Sequence, residues 1–317
     1  MDAPTPPPVR GSAERPAPAH DAPGPPGPPG ARGPGAPPPT APPPEPAPDS
    51  GDLRIRLRGL VKSFGHKRVL DGLDLDVAVG ESMVIIGASG TGKSVTLKHI
   101  IGLLKPDAGS VVVDGVAIEQ LDNRGITEFR RRFGMAFQEG ALFDSMNVFD
   151  NVAFPLRRLS HKSSQEIRQR VDECLAMVRL EGVGARDISE LSGGMRRRVG
   201  FARAIAHEPE ILLFDEPTTG LDPVNTALIG EVIRDIGDRL DTTMVTITHD
   251  MQVAFRVAHR IAMLDRGKII AEAPPEEFRE LQDARVQQFI RGEAEGPLSD
   301  QPAGRGAGSG EASGFGR

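Results

Sequence analysis

The sequence predicts an α/β fold, a largely parallel sheet preceded by a small antiparallel one, and three observations carry that prediction. Met83-Val84-Ile85-Ile86 is a short apolar run that passes directly into Gly87-Ala88-Ser89-Gly90-Thr91-Gly92-Lys93-Ser94. Val95, Leu97, Ile100, Ile101 and Leu104 then follow at helical spacing. Two further apolar runs, Ile211–Phe214 and Met244–Thr248, have the continuous character of strands buried on both faces, as in a parallel sheet. Upstream, Leu53–Arg58 and Leu73–Val77 alternate apolar and polar residues, the pattern of strands with one wet face.

Composition sets the outer bounds. Of 29 prolines in 317 residues, 20 fall in residues 1–50, with no Phe, Leu or Ile among them. Such a segment cannot bury enough apolar surface to offset its ordering entropy, so residues 1–50 are expected to be a disordered, polyproline-like tail. It lacks the apolar core of a secretory signal. Residues 51–281 have the composition of one globular domain, and 282–317 form an extension that turns Gly- and Ser-rich from about residue 300. No run reaches the roughly 18 apolar residues a membrane span needs, so a membrane role is expected to come through a partner. A net charge of −6 argues against a nucleic-acid partner. Cys174 stands alone, which excludes a disulfide framework or a zinc site and suits a reducing cytoplasm. It lies in the helical pattern of Ile167, Val171, Leu175 and Val178 as a small buried hydrophobe.

Taken in order, Val61–Gly65 and Val69-Leu70 lie between the two alternating segments and complete the small antiparallel sheet. Phe64 either fills a strand face there or stacks on a purine ring. After the helical run that ends at Leu104, Pro106–Gly109 is a turn, Ser110–Val113 a strand and Asp114-Gly115 a hairpin signal. Phe133–Phe137 is a short strand ending at Gln138. Gly140–Phe149 is rich in large apolar groups, either a buried loop and helix start or an exposed patch that receives a partner. Ser163–Leu180 reads as an amphipathic helix capped at Ser163 or Ser164. Leu191–Met195 leads into a helical run through Ile205. The clusters Arg130–Arg132 and Arg196–Arg198 lack interleaved aromatics and read as solvated helix faces. Arg260–Leu264 and Lys268–Ala271 form a closing hairpin around Asp265–Gly267.

The chemistry sits at the strand ends. In the G-x-x-x-x-G-K-S pattern the glycines let backbone N–H groups point inward at an anion, and the helix N-terminus adds its positive dipole end. Lys93 can reach β- and γ-phosphates, and the Ser94 hydroxyl can ligate Mg²⁺. Asp215 and Glu216 follow the buried run Ile211–Phe214, where an open α/β sheet places its ligand. Asp215 can hold Mg²⁺ and Glu216 can polarise an attacking water. His249 ends another core strand and is expected to contact the ligand.

The phosphate loop, Gln138, Leu191-Ser192-Gly193-Gly194, Asp215-Glu216, Gly220-Leu221-Asp222 and His249 occur in the order of an ABC-transporter ATP-binding subunit, which Leu53–Pro275 resembles. The resemblance implies a P-loop NTPase of the ABC type, with an N-terminal antiparallel β subdomain and a small helical subdomain at about residues 139–198. It implies a homodimer holding ATP and Mg²⁺ between the phosphate loop (Gly87 to Val95) of one copy and Ser192, Gly193 and Gly194 of the other. By the same resemblance Phe64 stacks on adenine, Gln138 reaches Mg²⁺ and the lytic water, Asp222 lines the dimer seam, Glu216 is the catalytic base and His249 touches the γ-phosphate. Met195 departs from the glutamine many members carry. The interval from Ser94 to Leu191 leaves no room for the coiled-coil insertion of a DNA-repair ATPase, and one phosphate loop argues against a translation-type factor. Phe137–Leu156 and Arg285–Leu298 are similar to ATPases of bacterial lipid-trafficking systems that work with a permease and an MCE-domain protein. That implies a peripheral ATPase on the cytoplasmic face of the inner membrane, moving phospholipid or another lipid between inner and outer membranes. An ATPase of an importer or exporter for another solute is the alternative.

Overall fold

The structure is a computed structural model that describes residues 53–137 and 141–299. Strands β1 (Leu53–Phe64) and β2 (Lys67–Ala78) form a long antiparallel pair. The sequence had suggested four short strands here. Register shifts between Leu57 and Leu60, and again near Ser63, let the pairing run on through apparent breaks. Strand β4 (Ala108–Val113) pairs with β1, and β5 (Val116–Ala117) closes the sheet in the order β2-β1-β4-β5. Asp114 and Gly115 both have positive φ, as a two-residue hairpin turn requires. The expected turn at Pro106–Gly109 gives way to β4 at Ala108, because β1 offers Val61 as a pairing partner there.

The second sheet has six strands in the order β10-β9-β3-β8-β7-β6. Its members are β3 (Ser82–Ile86), β6 (Phe133–Ala136), β7 (Ile211–Asp215), β8 (Thr243–Thr248), β9 (Arg260–Asp265) and β10 (Lys268–Ala273). All pairings are parallel except the β9–β10 hairpin. The period of two in a strand splits the core into two halves. Met83, Ile85, Leu213, Val245 and Ile247 face the antiparallel sheet and helix α1 (Lys93–Ile100). Val84, Ile86, Leu212 and Phe214 face the helices on the other side. These residues are all fully buried, so each contributes about 1.5–3 kcal/mol to the sheet's burial. That two-sided burial explains why the runs read as unbroken apolar text.

The helical side holds α3 (Val148–Leu159), α4 (Ser164–Met177), α5 (Gly193–Ile205), α6 (Pro223–Leu240) and α7 (Met251–Val257), while α2 (Asn123–Arg130) lies near the antiparallel sheet. Helix α4 starts with a reciprocal capping box between Ser163 and Glu166. Cys174 is buried on it, and burial pushes its thiol pKa up to about 11, so it is an inert core residue as expected. Helices α8 (Pro275–Glu280) and α9 (Ala284–Arg291) are the last two helices among the described residues. Val286 is fully buried, Leu298 packs on the main core, and the Gln288 carboxamide ties the segment back by accepting from Leu298 N and donating to Ser299 Oγ.

The arginine clusters are not plain solvated faces. Arg130 donates to the carbonyls of Ile101 and Gly102, closing the end of α1. Arg132 joins Asp114 and Glu210 in an ion network. Arg197 donates to the carbonyls of Pro217 and Thr219, and Arg198 to those of Val178 and Arg179. A fork of five donors suits bracing of loop carbonyls, which charge counting along a sequence does not register. Arg131 and Arg196 remain exposed. Among the described residues, no helix is long and apolar enough to cross a membrane.

Candidate functional site

The loop between β3 and α1 is built by close approach. A Cβ on Gly87 would lie 2.3 Å from the Leu264 carbonyl oxygen, and one on Gly92 would lie 2.7 Å from Leu70 Cδ2. Both glycines also hold φ in the left-handed range, 151° and 113°. No side chain caps α1 at Gly92, so its first N–H groups face the loop's concavity with the dipole's positive end. Thr91 Oγ1 donates to the Ala88 carbonyl and pins the loop's inner turn.

Lys93 is 5% exposed and crosses beneath this loop. Its Nζ donates to the carbonyls of Gly87 at 2.8 Å and Ala88 at 3.1 Å, and lies 3.3 Å from Glu216 Oε1. Ser94 Oγ donates to Asp215 Oδ1 at 3.0 Å. Burial pushes the Asp215 carboxyl above the usual carboxylate range, the Ser94 hydrogen bond works against that rise, and the neighbouring Glu216 charge adds to it.

Glu216 has φ 48°, unusual for a residue with a Cβ, and its N–H donates to the Ile247 carbonyl. That turn lifts the carboxylate out of the β7 line. Oε2 then accepts from Thr219 Oγ1 at 3.3 Å and lies 2.8 Å from His249 Nδ1. One carboxylate therefore joins a lysine, a hydroxyl and an imidazole. Strands β7 and β8 are parallel neighbours, so the residues just past their ends meet at one edge.

A cleft of about 420 Å³ opens over these groups. Phe64 and Val69 form one wall, Ser89, Gly90, Gly92, Lys93, Ser94 and Val95 the floor, and Glu216, Thr219 and His249 the far side. Phe64 is 48% exposed, with Lys62 Nζ 5.7 Å from its ring centroid. A half-open ring beside a phosphate loop suits base stacking better than core filling.

Expected site residues therefore fall into two groups. The phosphate loop, Phe64, Asp215, Glu216 and His249 come together. Ser192, Gly193, Gly194 and Asp222 do not line the cleft. Ser192 Oγ caps α5 by accepting from Met195 N, and Asp222 caps α6 by accepting from the N–H groups of Val224 and Asn225. Asn225 links the two, donating to Asp222 while packing so close to Gly194 that a Cβ there would be 2.8 Å from its Oδ1. Gln138 lies outside the described residues. Val69 and Thr219 were missed by sequence reasoning. Thr219 carried a signal in its three-residue spacing from Glu216, whereas Val69 reaches the cleft only through strand pairing.

The Ser94 hydroxyl and the Asp215 carboxylate are adjacent hard oxygen donors, and a desolvated carboxylate gains from a nearby cation, so the pair fits Mg²⁺. Among the described residues, no group of three or more His, Cys, Asp or Glu side chains is placed to hold a metal. The remaining oxygen ligands would have to come from outside this pair.

Residues 70–219 match the family described as ABC transporter. The probable ribonucleotide transport ATP-binding protein mkl of Mycobacterium leprae is 44% identical over 244 residues, covering 77% of this chain and 70% of that one. The intermembrane phospholipid transport system ATP-binding protein MlaF of Haemophilus influenzae is 41% identical over 244 residues, covering 77% of this chain and 92% of that one. A dimeric ATP-binding cassette solved in a post-hydrolysis state with ADP and Pi superposes with a TM-score of 0.64 at 33% identity, covering 70% of this chain and 98% of that one.

Proposed function

From the premise that this chain belongs to the ABC transporter ATP-binding subunits, we propose that it powers phospholipid transport between two membranes through a partner permease. It binds and hydrolyses ATP. The observation that carries the lipid reading is the similarity to MlaF over 92% of that protein's length.

In the proposed step, Phe64 stacks on adenine while the N–H groups of Gly87 to Val95 and Lys93 Nζ hold the phosphates. Lys93 exchanges the carbonyls of Gly87 and Ala88 for phosphate oxygens, which are stronger acceptors. Mg²⁺, held by Ser94 and Asp215 with Gln138, would neutralise charge on the β- and γ-phosphate oxygens. Glu216 takes the proton of the attacking water, and His249 fixes that carboxylate through Nδ1 while its other nitrogen is free to face the γ-phosphate. Ser192, Gly193 and Gly194 reach the nucleotide of a second copy, with Asp222 on the seam. Two copies would thus close over two ATP molecules, and the permease would receive that closure as rigid-body motion.

Supporting a permease contact, Phe137 and Phe143 are 39% and 40% exposed, an apolar pair at either end of the Gln138 stretch. The proposed site of action is the cytoplasmic face of the inner membrane, with an MCE-domain protein as a further partner.

A pull-down of the tagged chain from its native membranes, with mass spectrometry of partners and lipids, tests the reading. Recovery of a permease, an MCE-domain protein and phospholipid supports it. Recovery of a permease with a soluble solute-binding protein replaces the lipid with another substrate, a reading favoured by the ribonucleotide named for the mycobacterial relative.

A further inference from the structure

We propose that the end of α3, the loop after it and the first turns of α4 form a surface that rests on an anionic phospholipid bilayer. This rests on the reading that the chain works against a membrane with Ala141–Phe149 toward a permease. Between residues 157 and 169 the chain presents Arg157, Arg158, Lys162 and Arg168 against a single carboxylate, Glu166, although the whole chain is at −6. All of these side chains are exposed.

The nearby acids are already engaged. Asp150 pairs with Arg157 at 2.8 Å, and Glu166 accepts from Ser163 N in the capping box. Among the described residues, no carboxylate is within ion-pair distance of Arg158, Lys162 or Arg168. On another face of α4, Arg170 finds Glu173 and Glu208, while Asp172, one turn beyond Arg168, is exposed and makes no ion pair with it.

Apolar groups are interleaved with these cations. Leu159 is 39% exposed. Arg158 lies over the Phe154 ring at 5.5 Å, and Phe154 packs on Phe143 with centroids 4.9 Å apart. Arg157 and Arg168 both lie over Phe149. The basic surface is therefore continuous with the exposed apolar stretch proposed to meet the permease. Long flexible cations around exposed aliphatic and aromatic groups suit a smeared negative surface with an apolar layer beneath it. An acidic protein loop is the other occupant of matching charge, but the exposed Leu159 and the aromatic rings beneath the cations favour a surface with an apolar layer under its charge.

The test is co-sedimentation of the full chain with vesicles of phosphatidylcholine, alone or mixed with phosphatidylglycerol. The expected result is binding only where phosphatidylglycerol is present, weakening as salt rises. The triple substitution Arg158→Gln, Lys162→Gln, Arg168→Gln should lower the partition on the order of a hundredfold while leaving the ATPase rate unchanged. Equal binding to both vesicle types, or undiminished binding by the variant, overturns the proposal. So does a variant that keeps its lipid partition and loses only the permease, which would assign the surface to an acidic protein loop. Vesicle binding that persists when no permease is recovered would instead sink the transport reading and leave this surface standing.

Discussion

Glu216→Gln isolates the carboxylate's charge from its shape. Glutamine keeps the side-chain length and can still offer a carbonyl oxygen to His249, whose Nδ1 lies 2.8 Å from Oε2, and to the Thr219 hydroxyl. What it loses is proton affinity and the attraction to Lys93 Nζ at 3.3 Å. Loss of a general base costs about 10²–10⁴ in rate, equivalent to about 3–5.5 kcal/mol of transition-state stabilisation. Binding moves the other way. Lys93 stays anchored by the carbonyls of Gly87 and Ala88, and no longer shares its charge with Glu216, so ATP should bind at least as tightly. Phosphate release at saturating ATP gives kcat, and equilibrium binding of a fluorescent ATP analogue gives Kd. Size-exclusion chromatography with ATP should show a trapped dimer. A variant turning over within threefold of the parent would refute the base assignment, and one that lost ATP binding would show that Glu216 holds the loop's structure instead.

Phe64→Ala should raise KM for ATP about 5- to 150-fold, the range for about 1–3 kcal/mol of stacking, with kcat nearly unchanged. Because Phe64 is 48% exposed, thermal stability should scarcely move, and a large fall in Tm would return it to a packing role. Asp215→Asn should raise Tm at neutral pH while abolishing Mg²⁺-dependent hydrolysis. The folded state raises this carboxyl's pKa, so its proton is held to higher pH when folded, and ionisation costs stability once pH exceeds the unfolded value. The parent's Tm should therefore gain on the variant's as pH falls through the carboxylate range, and a gap that is flat or widens toward acid contradicts the burial argument. Gly87→Ala places a methyl 2.3 Å from the Leu264 carbonyl, so the β9 edge or the loop must shift; loss of ATP binding with a Tm lower by several degrees is expected. Unchanged ATP affinity there would mean that the loop tolerates a shift the close approach forbids.

Legibility in the sequence followed the range of the interactions involved. Strand β3, the glycine loop and α1 were readable because each depends on residues within a few positions: an apolar run, glycines with φ no side chain tolerates, and helical spacing. Buried β7 and β8 were readable because two-sided burial leaves unbroken apolar text. The cap of α4 was readable only as Ser163 or Ser164, and the reciprocal bond with Glu166 selects Ser163.

Tertiary structure alone decided what depends on pairing and convergence. The sequence broke β1 and β2 into pieces, because a bulge and a strand end look alike until a partner strand is present. It read Arg130, Arg197 and Arg198 as solvated, because bracing carbonyls 19 to 29 positions away leaves no local trace. It placed Glu216 and His249 at separate strand ends and left their contact to the parallel pairing of β7 with β8. The residue types of the site are local choices made by the chain. Their meeting is a property of the sheet, since only strand order sets which ends are neighbours.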